Sequence, residues 1–451
     1  MGLLSVRRGY SSVRFFNRDD IFVKVLRGGV GSFIVKIGNV LLLLSVSVVL
    51  ARLLGAAKYG VYAYVFAWIT ILGIPAQLGL PNLLVREVAA CQTRSEYGLM
   101  NGILRWAFKV SALSGIVIGL LAVVVVYFLT DSYKSGVFFT FVCGVFLIPL
   151  IGLGEVRGAT LRGLRKIVLG LLPEKILCPA LFLVILLLIK SLLPNMKISP
   201  PLAMSCYVVA SALSFCVGIF LLMRNLPRKA INASPKYDTK VWLSSAISMS
   251  LIAGVSVINS QADIVVLGIF SDSTSVGVYR IAAQVSALIG FGLQAMNTAV
   301  APFFSQLYTS GDVRRLQKVV TGSARVILAL ALPVVLILVV WGNRILSVVF
   351  GAEFVSAYAP MAILALGNLV DATAGSVALL LNMTGFERIT VRWLALTSVA
   401  NIFLNLFLVP LYGIYGAAAS TAFTTVMWNV LLWLSVRKSI GIDTTAFAFP
   451  V

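Results

Sequence analysis

Four pairs of polar residues sit at helical spacing inside strongly apolar stretches: Lys36 with Asn39, Asn259 with Asp263, Arg280 with Gln284, and Asn368 with Asp371. Separations of three or four residues put both members of a pair on one helix face. An ionisable group at membrane depth is costly unless it meets a partner or a wet cavity, so the pairs mark either interhelical bonds or a polar chamber. Lys and Arg in such a chamber can hold an anion, and Arg can do so bidentately. The carboxylates of Asp263 and Asp371 can balance that charge or take a cation. The bland alternative is mutual satisfaction, for instance Asp263 with Arg280, with nothing bound.

Other chemistry is excluded by composition. The chain has no His, which removes imidazole relays, Ser-His or Cys-His nucleophile pairs and histidine metal sites. Cys91, Cys143, Cys178, Cys206 and Cys216 are odd in number and form no C-x-x-C pair, so neither a disulfide framework nor a zinc site is indicated. Segments between apolar stretches are short, which leaves no room for an external catalytic domain. The expectation is a protein that is not an enzyme and needs no cofactor.

The elements that must position these residues are membrane helices. The composition is 60% hydrophobic over 451 residues, and the mean hydropathy is +1.02. A bilayer core requires about 20 apolar residues per helix. Spans are expected near residues 30–54, 60–80, 107–129, 137–154, 168–190, 202–223, 242–268, 276–300, 322–341, 357–382, 393–410 and 414–435. Runs such as Leu41–Leu44 and Val123–Val126 do not alternate, which excludes barrel strands. The fold class is therefore an all-α polytopic membrane protein with about twelve transmembrane helices. The first 28 residues are basic and lead into an apolar run without a small-residue cleavage site, so that run is expected to be a membrane span and not a cleaved signal.

The formal charge of +21 is sided. About 28 of the 36 Lys and Arg fall in alternate gaps, about 7 in the others, and Lys36 lies within the first span. The positive-inside bias then places both termini in the cytoplasm, and the basic excess answers to topology and anionic lipid rather than to nucleic acid. Arg52, Lys109, Lys190 and Arg325, near span ends, can snorkel to headgroups. Glu155 and Arg157 are expected to be solvated at a helix end.

The longest central polar segment, Arg224 to Lys240, divides six spans from six: an N-terminal lobe of residues 1–223, a linker of 224–240 and a C-terminal lobe of 241–451. An internal repeat supports the division. Aligning Gly60 with Gly277 also sets Tyr62 on Tyr279 and Gln77 on Gln294. Six spans separate the copies, so the repeat is parallel, as in alternating-access carriers.

Four segments resemble a known family: Ala51-Arg-Leu-Leu-Gly-Ala-Ala-Lys-Tyr-Gly-Val-Tyr; Leu80-Pro-Asn-Leu-Leu-Val-Arg-Glu-Val-Ala; Asn259-Ser-Gln-Ala-Asp263 through Val276-Gly-Val-Tyr279; and Asn401-Ile-Phe-Leu-Asn405 through Pro410-Leu-Tyr-Gly-Ile-Tyr-Gly-Ala-Ala. In that order they resemble the polysaccharide-transporter branch of the multidrug/oligosaccharidyl-lipid/polysaccharide exporter superfamily, which includes the O-antigen flippases. The resemblance implies a two-lobed fold like that of the multidrug exporters. It also implies translocation of an undecaprenyl-diphosphate-linked glycan across the cytoplasmic (inner) membrane, alongside polymerase or chain-length machinery. On that reading Lys36, Asn39, Arg52, Asn259, Arg280 and Gln284 are candidates for substrate binding, with Lys36, Arg52 and Arg280 toward the diphosphate. Asp263 and Asp371 are candidates for charge balance or for coupling to a proton or sodium gradient. A cation-coupled multidrug exporter is the alternative with the same architecture, and a non-transporting scaffold is a weaker one.

Overall fold

The computed structural model describes residues 18–129 and 136–448, and the basic segment before residue 18 lies outside the described residues. The described residues are helical and contain no strand. In chain order the helices of the first half are α1 (Arg18–Gln77), α2 (Leu80–Arg94), α3 (Tyr97–Leu129), α4 (Gly136–Gly144), α5 (Leu147–Gly163), α6 (Ile167–Leu172), α7 (Cys178–Leu192) and α8 (Pro200–Asn225). A π-turn, Pro173–Leu177, joins α6 to α7. A short α9 (Arg228–Asn232) lies in the central polar segment. The second half holds α10 (Thr239–Phe270), α11 (Ser273–Ser286), α12 (Phe291–Thr309), α13 (Val313–Val349), α14 (Tyr358–Ala374), α15 (Val377–Met383) and α16 (Glu387–Ser439).

Among the described residues, 10 helical runs are long and apolar enough to cross a membrane. The two longest are broken by glycines in conformations closed to other residues. Gly55 in α1 has φ 74° and ψ 170°, and Gly413 in α16 has φ 55° and ψ −130°. At each the chain folds back on itself. In α16 the Trp393 indole N–H donates to Ser435 Oγ at 2.9 Å and Asn401 Nδ2 to Thr424 Oγ1 at 3.2 Å, so its arms are antiparallel neighbours. In α1 Ser47 lies beside the Tyr59 hydroxyl. Twelve residues of straight helix would hold those two about 18 Å apart.

Hydropathy located the apolar middles of the helices and missed their ends. α3 begins at Tyr97 rather than near 107, α13 covers Val313–Val349 rather than 322–341, and the run expected over 357–382 is interrupted at Gly375 (φ 74°). The helices continue into polar sequence because their termini are capped there: the Asp312 side chain accepts the Arg315 N–H at 3.0 Å at the start of α13. α2, expected as loop, buries Leu80, Leu83, Leu84, Val88 and Cys91, an amphipathic face that a hydropathy window averages away.

The halves of the chain meet along α1. Phe33 stacks on Phe291 with ring centroids 5.9 Å apart, Tyr64 lies against Gly268, and Gly79 against Ala246 and Ser250. Gly60 and Gly277, equivalent in the internal repeat, pack on each other's backbone, and a Cβ at Gly60 would collide with the Ser273 carbonyl. Buried Leu50, Val65, Ile281, Ile289, Ile327 and Phe354 join in one core across this seam. Leu120, Phe128, Phe220, Phe403 and Phe407 are exposed, as lipid-facing side chains must be.

Candidate functional site

Asp263, two turns before the end of α10, is the hub of a hydrogen-bond network. Its Oδ2 accepts from the Tyr279 hydroxyl at 2.5 Å and from Thr421 Oγ1 at 2.6 Å, and its Oδ1 accepts from Asn405 Nδ2 at 2.8 Å. Asn401, one turn before Asn405, reaches Thr421 Oγ1 at 3.3 Å. Three elements build the site. The Asp272 carboxylate accepts the Ser275 N–H at 3.3 Å and starts α11 six residues before Tyr279, while the Gly413 fold brings Asn405 opposite Thr421.

The Asp263–Arg280 pair, offered by the sequence as the alternative to a ligand-binding role, does not form. Ion pairs among the described residues are Arg86–Glu87, Arg157–Glu174, Arg162–Glu155 and Arg315–Asp312. Helix geometry gives the reason. Consecutive residues point about 100° apart, so with Tyr279 turned to Asp263, Arg280 turns elsewhere. It lies beside Tyr59 and Tyr62, in the first half of the chain. One turn further along the same face, Gln284 accepts from Ser47 Oγ at 2.6 Å and donates to the Leu43 carbonyl at 3.0 Å. Arg280 and Gln284 thus form a cationic, hydrogen-bonding strip on the seam between the two halves.

The remaining candidates scatter. Asn39 donates to the Lys175 carbonyl at 2.7 Å, an acceptor left free because residue 179, its normal helical donor, is proline. Lys36 is exposed. Arg52 donates to the carbonyls of Val348 and, at 2.8 Å, Val349, capping the end of α13, while the Ala56 N–H donates to Glu353 Oε2 at 2.8 Å. These three bonds clasp the halves together at the Gly55 end. Asp371 accepts from Asn429 at 2.9 Å, and Asn368 donates to the Ser286 carbonyl at 3.0 Å, both away from Asp263. Asn259 lines a cavity of about 270 Å³ with Thr397, Asn401, Thr424, Thr425 and Trp428.

One expectation about a helix-end charge is also corrected. Arg157 is 0% exposed, paired with Glu174 and laid against Gly218, because the glycine leaves the guanidinium room inside the bundle. Arg325, an exposed residue, donates to the carbonyls of Ala446 and Ala448 at 3.0 and 3.1 Å, pinning the segment after α16. Thr421, Thr424 and Tyr279 were not singled out as site residues. The signal was present in the Asn401/Asn405 and Thr421/Thr425 spacings, which put amides and hydroxyls in register on two arms.

Known proteins share this fold. An inward-facing multidrug resistance transporter of the MATE family superimposes with a TM-score of 0.71 at 13% identity, covering 89% of this chain and 94% of its own. The lipid II flippase MurJ, inward closed, gives 0.69 at 15% identity, covering 91% and 87%. In sequence the chain is 27% identical over 172 residues to the probable low-salt glycan biosynthesis flippase Agl15 of Haloferax volcanii, covering 38% of this chain and 36% of that protein. It is 26% identical over 202 residues to the probable flippase AglR of the same organism, covering 44% and 40%. The chain thus aligns with well under two thirds of the length of these relatives. The MatE family model matches residues 245–407. The model of the polysaccharide biosynthesis protein family matches residues 25–308, well over half of the 451, and the chain belongs to that family.

Proposed function

We propose that this protein flips an undecaprenyl-diphosphate-linked oligosaccharide across the cytoplasmic membrane by alternating access of two six-helix lobes. Each arm of the α1 and α16 hairpins then counts as a separate crossing, twelve in all, and both termini are cytoplasmic. A charged diphosphate and a polar glycan cannot enter hydrocarbon unaided, so the carrier must offer a cation in a polar seam. The observation that carries the reading is Arg280, a guanidinium on the seam that pairs with no carboxylate among the described residues and neighbours tyrosines of the other half. Family membership and the flippase names of the Haloferax relatives support the substrate class.

Asp263 supplies the coupling in this account. The Asp263 carboxylate accepts from neutral donors and pairs with no cation among the described residues, so its counter-charge can be supplied from outside the protein, by a proton or a small cation. Carboxylate, amide and hydroxyl oxygens are also suitable ligands for a hard cation. The MatE match over the second half favours one rival, a cation-coupled drug exporter. Transport of labelled lipid-linked oligosaccharide in proteoliposomes, beside ethidium efflux from the same vesicles, separates the two. Movement of the lipid without ethidium efflux is the expected result.

A further inference from the structure

The cavity between α10 and the two arms of α16 has a lining suited to one kind of ligand. No charged residue lines it, so it has no complement for a diphosphate. Three of its threonines already donate their hydroxyl protons along their own helix, Thr397 to the Trp393 carbonyl, Thr424 to Ser420 and Thr425 to Thr421, each at 2.8 Å, and the fourth, Thr421, donates to Asp263. What remains toward the cavity is acceptor lone pairs. Asn259 Oδ1 is buried with no partner, a further acceptor. Trp428 adds an aromatic ring, and its indole N–H makes no hydrogen bond among the described residues. An unpartnered acceptor such as Asn259 Oδ1 is costly inside a membrane bundle, so this wall suits a ligand rich in O–H donors.

A pyranose has that character: hydroxyl donors around its rim and C–H faces that lie on an indole. An acyl chain offers no donor, and a cationic drug would find no carboxylate. At about 270 Å³ the space falls just below the roughly 300–1,000 Å³ of pockets for drug-sized ligands, and fits one ring rather than a repeat unit. Resting on the flippase reading above, we infer that this cavity is a subsite for one uncharged sugar ring of the lipid-linked head group, with Trp428 as its stacking face and Asn259 and the threonines as its acceptors.

The subsite shares a wall with the carboxylate. Asn401 bridges Thr424 and Thr421, and Thr421 donates to Asp263. A sugar hydroxyl that engages Asn401 acts two hydrogen bonds from Asp263, through Thr421, so in this reading sugar occupancy and the proton or cation occupancy of Asp263 are thermodynamically linked.

The test uses the full chain in lipid nanodiscs, with sugar binding followed by saturation-transfer NMR and tryptophan fluorescence. The probes are N-acetylglucosamine, galactose and mannose, with glucuronate and glucosamine as charged controls. Saturable binding of at least one neutral sugar is expected, with the charged ones weaker by about tenfold or more. Trp428→Ala should abolish it and Trp428→Phe retain part, while Asn259→Ala should weaken it about tenfold, the worth of one good hydrogen bond. The phenylalanine and Asn259 variants keep the test valid if the alanine at 428 fails to fold. No saturable binding of any neutral sugar, or binding unchanged by Trp428→Ala, overturns the inference. Undecaprenyl diphosphate, which has no sugar, is measured on the same samples. Its Arg280-dependent binding without sugar binding would sink the subsite alone, and loss of both would sink the flippase reading as well.

Discussion

Asp263 and Tyr279 are bonded, whereas Asp263 and Arg280 are not, and that one-residue difference decides what each charge is for. Substitutions at 263 and 280 act through different neighbours, so the double variant Asp263→Asn/Arg280→Gln should be no better than the worse single in protein level or transport. Recovery of either property in the double variant would restore the ion pair. Arg280→Ala should abolish lipid transport at unchanged protein level, with Arg280→Lys keeping part of it, since charge survives without the planar fork. Full activity of the alanine variant would leave Arg280 a seam contact only. Which residues are polar and deep was legible in the sequence, but which partners they take was not. Asn39 is engaged because of Pro179, and Arg52 because α13 ends at Val349. Such pairings span 136 to 297 residues and follow from the tertiary path alone.

At the scale of elements, the apolar middles of the helices were visible in hydropathy, and helix ends were not, because capping and amphipathic turns carry the ends past the apolar window. Glycines set the crossings. Gly60 packs on Gly277 with no room for a methyl, whereas Gly413 has open space and only a positive φ to protect. Gly60→Ala should therefore lower thermal stability by about 1–3 kcal/mol through overpacking and reduce transport, since it wedges the seam. Gly413→Ala should cost about 1–2 kcal/mol from backbone strain alone. Thermal unfolding in detergent, followed with a thiol-reactive dye, measures both. Equal transport by the Gly60 variant and wild type would remove the Gly60–Gly277 contact from the transport cycle.

For the whole molecule, the sidedness of Lys and Arg predicts that the termini are cytoplasmic and that the Gly55 end faces outward. A reporter should be appended after Val451, so that Gln317 and Arg325 keep their bonds to the 443–448 segment. It should signal cytoplasm, and one inserted near Ser273 should signal the outer side. A cytoplasmic signal at Ser273 would invert the map. The sequence aligns Gly60 with Gly277 and Tyr62 with Tyr279, and the structure packs those two glycines on each other. The polar networks differ between the copies, since the second half carries Asp263 with Asn405 and Thr421, and no periodicity in the chain announces that difference.

The central claim is that the seam carrying Arg280 passes a lipid-linked glycan, and the direct measurement is flipping in proteoliposomes. Labelled undecaprenyl-diphosphate oligosaccharide is placed in one leaflet and its arrival in the other is timed with a membrane-impermeant glycosidase. The account predicts flipping by wild-type protein, none above protein-free vesicles by Arg280→Ala, and no ethidium movement by either. Ethidium transport by wild-type protein, with the lipid left in its starting leaflet, would contradict it.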